Sequence, residues 1–203
     1  FFTQHGRDSY DNAGGELRSS VHYCPDAGNC PFANAFWNGI QMVYGSTYAS
    51  ADDVVAHELT HAVTERTAGL FYYMQSGALN ESFSDIFGEI VDLTDGVGND
   101  TAPVRWQMGE DLPIGAIRNM MNPGACGDPA RGNDANFKCF FDGTDGGGVH
   151  SNSGVPNHAL ALMVDGGSYN GHTVTALGGT KAGKIQYRAL TRYLLSGSGF
   201  RDD

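Results

Sequence analysis

Val54-Val55-Ala56-His57-Glu58-Leu59-Thr60-His61-Ala62-Val63-Thr64 decides how the rest of this 203-residue chain is read. Its apolar positions Val54, Val55, Leu59, Ala62 and Val63 cover more than one side of a helix. That predicts a buried helix beginning near Ala51 and capped by Ser50 or Asp52. Histidines four apart lie on one helix face, so His57 and His61 can reach the same ion. Neutral imidazoles suit zinc, and a catalytic zinc keeps a third protein ligand and an open position for water. Glu58, next to the first histidine, then stands where it can take a proton from that water.

His-Glu-x-x-His on a helix is a signature of zinc metalloproteases, and a third ligand follows at a fitting distance. A turn containing Gly69 leads to a second expected helix over about 77–93, with Leu79, Phe83, Ile86, Phe87, Ile90 and Val91 as its apolar stripe. Glu81 and Asp85 are four apart on that helix and share a face. Alone they would read as solvated surface acids; beside the upstream motif, Glu81 reads as the third zinc ligand. Asp85 can then accept a hydrogen bond from the far nitrogen of a zinc histidine and fix its tautomer.

Outward from these two helices the pattern changes. Short β-branched or aromatic runs, Ser19–Tyr23, Asn34–Trp37 and Gln41–Tyr44, alternate with Asp-Asn, Gly-Gly and Asn-Gly turns. Residues 95–148 are loop-rich, and two more helices are expected over 155–164 and 180–195. Strands first and helices after give an α+β fold. We read 1–50 as part of a β-rich N-terminal lobe and 51–203 as the zinc helix and a mainly helical C-terminal lobe, with the zinc in the cleft between them.

Twelve basic against 23 acidic residues, a formal charge of −11, argue against nucleic acid or an anionic membrane as partner. Surplus carboxylates can instead bind calcium. No apolar run approaches the roughly 20 residues of a membrane span. Phe1-Phe2-Thr3-Gln4-His5 is not a signal peptide, so the chain is taken as mature or cut from a longer precursor. Four cysteines form two local pairs, Cys24 with Cys30 and Cys126 with Cys139. They are either free thiols of a cytosolic protein or two loop-closing disulfides of an exported one, and the second is expected.

The zinc motif, Thr67-Ala68-Gly69-Leu70, Asn80-Glu81 with Ser84-Asp85, Gly148-Val149-His150-Ser151-Asn152-Ser153-Gly154, Asn34-Ala35-Phe36-Trp37-Asn38-Gly39 and Gly183-Lys184-Ile185-Gln186-Tyr187-Arg188-Ala189-Leu190 together resemble the thermolysin family. The likeness runs through nearly the whole chain in the same order. It implies a secreted, extracellular zinc endopeptidase, a monomer acting on proteins and peptides, with its own propeptide as an inhibitor. By resemblance, His57, His61 and Glu81 hold zinc and Glu58 is the general base. His150, oriented by Asp145, and Tyr72 would stabilise an oxyanion, and Arg118 would hold a substrate carbonyl. Asn34 and Ala35 would pair with an extended substrate. Val54 and Ile117, joined by Tyr48, would line an apolar pocket that favours cleavage on the amino side of Leu, Phe, Ile or Val.

The same resemblance implies one structural calcium held by Asp53, Glu89, Asp92 and Glu110. Arg105 and Gln107 replace further acids found in some members, which argues against a double site. Against the family, the chain starts inside the N-terminal lobe and stops before the last helices. The competing class is an inactive zincin-like scaffold that binds peptides or inhibitors; the joint presence of Glu58, Tyr72 and His150 argues against it. An aminopeptidase would need an acidic anchor for a free N-terminus, and no such motif is evident.

Overall fold

The computed structural model describes residues 1–98, 101–139 and 143–202. A short helix α1 (Phe2–His5) precedes three strands, β1 (Ser19–Ser20), β2 (Ala35–Trp37) and β3 (Met42–Tyr44). They form one sheet in the order β1-β3-β2, with β1 parallel and β2 antiparallel to β3. β2 is therefore an edge strand. After a 3-10 turn at Tyr48–Ser50 come the two long helices, α2 (Asp52–Glu65) and α3 (Met74–Asp95). The loop-rich stretch carries a small pair, β4 (Gln107–Met108) with β5 (Arg118–Asn119), and a 3-10 turn at Pro123–Cys126. Helices α4 (Asp145–Asn152) and α5 (Gly154–Asp165), the hairpin β6 (Gly167–Tyr169) and β7 (His172–Val174), and α6 (Gly179–Arg192) complete the α+β fold.

α2 is apolar on two sides because it faces two cores. Val54 packs with Ala35, Met42, Tyr44, Tyr48, Met108 and Leu112 on the sheet side. Val63 packs with Leu79, Phe83, Ile86, Leu160, Val164 and Leu190 among the helices. The expected cap is not used. Ala51 occupies the N-cap without a side-chain bond, and the Ser50 hydroxyl instead donates to Thr47 O at 2.6 Å. Asp52 and Asp53 still place negative charge in the first turn, where the helix dipole favours it.

Close approach of α2 to α3 depends on Gly88, where a Cβ would lie 2.7 Å from the Asp53 carbonyl oxygen. α4 was not foreseen as a helix. Gly146, Gly147 and Gly148 adopt left-handed φ of 58°, 87° and 80° inside it, a path open to glycine at little cost. That kink places His150 beside α3.

One expected disulfide forms and one does not. Cys24 and Cys30 are bonded, with Cα atoms 5.4 Å apart. Cys126 and Cys139 are free and exposed, which corrects the second pairing. The intervening loop is closed by hydrogen bonds instead. Asp134 accepts from Ala130 N, Arg131 N and Arg131 Nε, and Asn136 Nδ2 donates to Gly127 O. Lys138 is tied in both directions to the Asn152 side chain, and Cys139 lines a pocket together with Phe71 and Phe137.

Candidate metal centre and catalytic cleft

Three donor side chains converge between α2 and α3. His57 Nε2 and His61 Nε2 lie 3.0 Å apart, and Glu81 Oε2 and Oε1 stand 3.5 and 3.4 Å from them respectively. Among the described residues, these form the one group of three whose donor atoms all lie within 4.8 Å of one another.

The far nitrogens set the tautomers. His57 Nδ1 donates to Asp85 Oδ1 at 2.9 Å. His61 Nδ1 donates to Asn80 Oδ1 at 2.8 Å, and Asn80 Nδ2 donates onward to Leu70 O at 3.1 Å, which fixes the amide orientation. With Nδ1 engaged in this way, the Nε2 atom of each ring is turned toward the same place, where a deprotonated ring presents a lone pair, alongside a fully buried carboxylate whose Oε2 has no hydrogen-bond partner. Facing lone pairs without a shared hydrogen repel; a cation between them removes the conflict. The donor set of two imidazoles and one carboxylate fits zinc.

Glu58 is 5% exposed, and its Oε2 is likewise buried without a partner. Across the cleft, the Tyr72 hydroxyl donates to Glu81 Oε1 and lies 3.0 Å from His150 Nε2. His150 Nε2 is 3.4 Å from Glu81 Oε1. Asp145 holds the histidine twice, by Nδ1 at 2.5 Å and by its backbone N at 3.0 Å. Burial and the neighbouring Glu81 charge keep the Tyr72 phenol protonated, with its pKa raised.

Residues 1–65 match the family model described as "Thermolysin metallopeptidase, catalytic domain", and residues 68–203 match "Thermolysin metallopeptidase, alpha-helical domain". The chain belongs to the thermolysin metallopeptidase family. A "Zinc metalloproteinase" of Renibacterium salmoninarum is 47% identical over 91% of this chain and 35% of its own length. A "Bacillolysin" of Brevibacillus brevis is 47% identical over 98% of this chain and 37% of its own. Among solved structures, "Precursor of Protealysin, Metalloproteinase from Serratia proteamaculans" aligns with a TM-score of 0.78 at 36% identity, covering 98% of this chain and 64% of that one. The chain thus spans about a third of the curated relatives it matches, 35% and 37% of their lengths.

Asp85 does more than the sequence suggested. Besides His57, its buried carboxylate accepts from Arg118 Nε at 2.7 Å, Arg118 Nη2 at 2.6 Å and Asn157 Nδ2 at 2.8 Å. Burial alone would raise its pKa, but Arg118 and His57 hold it well below the usual carboxylate range. Asn80 and Asn157 were missed as positioning residues. Asn80 directly precedes Glu81, and that adjacency was its only local signal. Asn157 lies far away in sequence and is itself fixed by Ser82, whose hydroxyl donates to Asn157 Oδ1 at 2.7 Å.

A cleft of about 470 Å³ opens beside the three ligands. Asn34 and Ala35 from the β2 edge line it, as do Val54, Ile117, Arg118 and Tyr48. The acids read for calcium are brought to the α2–α3 packing face, but their oxygens form no three-donor cluster among the described residues. Glu89 is 1% exposed with neither oxygen hydrogen-bonded. Burial raises its pKa, and Asp53, Glu110 and Asp92 add to the shift. Asp53 is turned onto the backbone N of Val54 and Gly109. Arg105 pairs with Asp165 at 2.7 Å.

Proposed function

We propose that this chain is the catalytic core of a secreted zinc endopeptidase cleaving internal peptide bonds on the amino side of bulky apolar residues. The observation that carries the reading is the convergence of two lone-pair Nε2 atoms and Glu81 beside the unpartnered carboxylate of Glu58. His57, His61 and Glu81 would hold the metal. Zinc there supplies a Lewis acid that polarises a carbonyl and acidifies water.

The protein's own groups do the rest. Glu58 accepts the proton of the attacking water and returns it to the leaving amine. His150, kept in place by Asp145, and the Tyr72 hydroxyl donate to the oxyanion that develops on the substrate carbonyl. Both line the cleft, with the Tyr72 hydroxyl and His150 Nε2 3.0 Å apart. Arg118, pinned on Asp85, is placed to hold a substrate carbonyl. The free edge of β2 at Asn34 and Ala35 suits an added strand of substrate. Val54 and Ile117 offer an apolar pocket worth about ten- to a hundredfold for a Leu- or Phe-sized side chain over a small one.

The buried acids around Glu89 support a single structural calcium, with Asp53, Asp92 and Glu110 drawn in as ligands. The structural relative is named a precursor, which supports the chain's own propeptide as an inhibitory partner. The test is metal removal. A zinc-specific chelator should stop hydrolysis of an internally quenched peptide, and one equivalent of zinc should restore it. Hydrolysis that persists in zinc-free protein overturns the proposal.

A further inference from the structure

The Cys24–Cys30 loop is exposed, lies outside the catalytic constellation, and touches the cleft through one short chain of aromatic rings. Tyr23 and Phe32 flank the disulfide in sequence, and their rings meet edge-on at 5.4 Å. Both then meet Phe36 edge-on, Tyr23 at 5.8 Å and Phe32 at 6.0 Å. Phe36 is the middle residue of the edge strand β2 and lines the cleft. Each ring partner is also anchored by backbone. Tyr23 N donates to Tyr44 O at 2.9 Å, and the Phe32 carbonyl lies against Gly45, where a Cβ would sit 1.7 Å from it. Inside the loop, the Asp26 carboxylate accepts from Gly28 N at 2.9 Å and Asn29 Nδ2 at 2.8 Å. The loop therefore has its own internal order, and the covalent bond joins the two stretches that carry the rings packed against Phe36.

We propose that the disulfide-closed loop is a positioning device for the substrate cleft: through Tyr23 and Phe32 it sets the ring of Phe36 and so strengthens binding of extended peptides along β2. The idea rests on the cleft being a peptide site, as argued above. Its consequence is selective. A peptide long enough to run along β2 reads the Phe36 ring, whereas a blocked dipeptide confined to the metal centre does not. Edge-to-face aromatic pairs are energetically modest, so losing the clamp should weaken extended-peptide affinity by about three- to tenfold.

The test compares the wild-type chain with the double variant Cys24→Ser/Cys30→Ser, with Phe32→Ala and with Phe32→Tyr. Binding of an apolar decapeptide is read from the change in tryptophan fluorescence, Trp37 lining the cleft while Trp106 is buried in the core, and kcat and KM are measured with the decapeptide and a blocked dipeptide. The double variant and Phe32→Ala should show Kd and KM raised about three- to tenfold for the decapeptide, with kcat and the dipeptide KM within about twofold. Phe32→Tyr, which keeps the ring, should behave as wild type. Equal decapeptide affinity in all four proteins overturns the proposal while leaving the peptidase reading intact. So does a uniform loss for both substrates, which would mark the loop as merely structural. A wild type that binds the decapeptide but does not cleave it sinks the peptidase reading alone, and one that does not bind it sinks both.

Discussion

Asp85→Asn is the substitution whose outcome the site geometry fixes most fully. The carboxylate is completely buried and receives four hydrogen bonds, from His57, twice from Arg118 and from Asn157. Asparagine keeps the shape and one acceptor oxygen, but its NH2 must face at least one of those donors. The Arg118 guanidinium loses its counter-charge, and the next carboxylate, Glu81, is 4.0 Å away and is proposed as a metal ligand. Breaking a buried pair from one side costs about 3–5 kcal/mol. With the shape retained, about 3 kcal/mol is expected, or roughly 6–12 °C in Tm for a chain of this size. Because the Asp85 pKa is depressed in the fold, its contribution is present at neutral pH and lost on acidification, so the deficit should shrink as pH falls below the unfolded carboxylate range of about 4. Zinc affinity should fall about ten- to a hundredfold, since His57 loses the group that fixes its tautomer. Competition with a chromophoric chelator reads the affinity, and circular dichroism of the zinc-free protein reads Tm. Unchanged zinc affinity together with an unchanged Tm would refute the role given to Asp85.

Glu58→Gln should retain one zinc and lose about 10²–10⁴-fold in kcat; more than about a tenth of the activity remaining would exclude Glu58 as the base. Calcium should raise Tm, and by more at about pH 8 than in mild acid. Glu89 has a raised pKa and Glu110 is pushed up to about 7, both chiefly by burial. The metal-free fold therefore loses stability as pH rises through that value, and a cation offsets the loss. A Tm indifferent to calcium at both pH values would dismiss the site. In the native protein, Cys126 and Cys139 should both react with a maleimide while Cys24 and Cys30 do not; a mapped Cys126–Cys139 cross-link would contradict the structure.

The catalytic helices were legible because their signal is local. Period and spacing alone placed α2, α3, α5 and α6 close to their observed bounds, and the i, i+4 relations of His57 with His61 and Glu81 with Asp85 carried the metal site. What the sequence hid is set by contacts across long separations. Arg118 lines the cleft, but nothing local shows that its Nε and Nη2 also pair with Asp85, thirty-three residues away. Asn157 reaches Asp85 across seventy-two residues. α4 escaped notice because a run of glycines carries no helical period. That the second cysteine pair is not bonded was hidden, because even number and proximity in sequence say nothing about side-chain direction, and both thiols face outward there.

Whether the His57, His61, Glu81 and Glu58 constellation makes this chain a zinc endopeptidase can be tested on one sample. Zinc content is measured by mass spectrometry on the purified chain, and the same preparation digests a denatured protein whose fragments are mapped. One zinc per chain is expected, with internal cuts preceding Leu, Phe, Ile or Val and none from the Glu58→Gln protein. Stoichiometric zinc with no internal cleavage, or cuts centred on Lys, Arg, Asp or Glu, would contradict that reading.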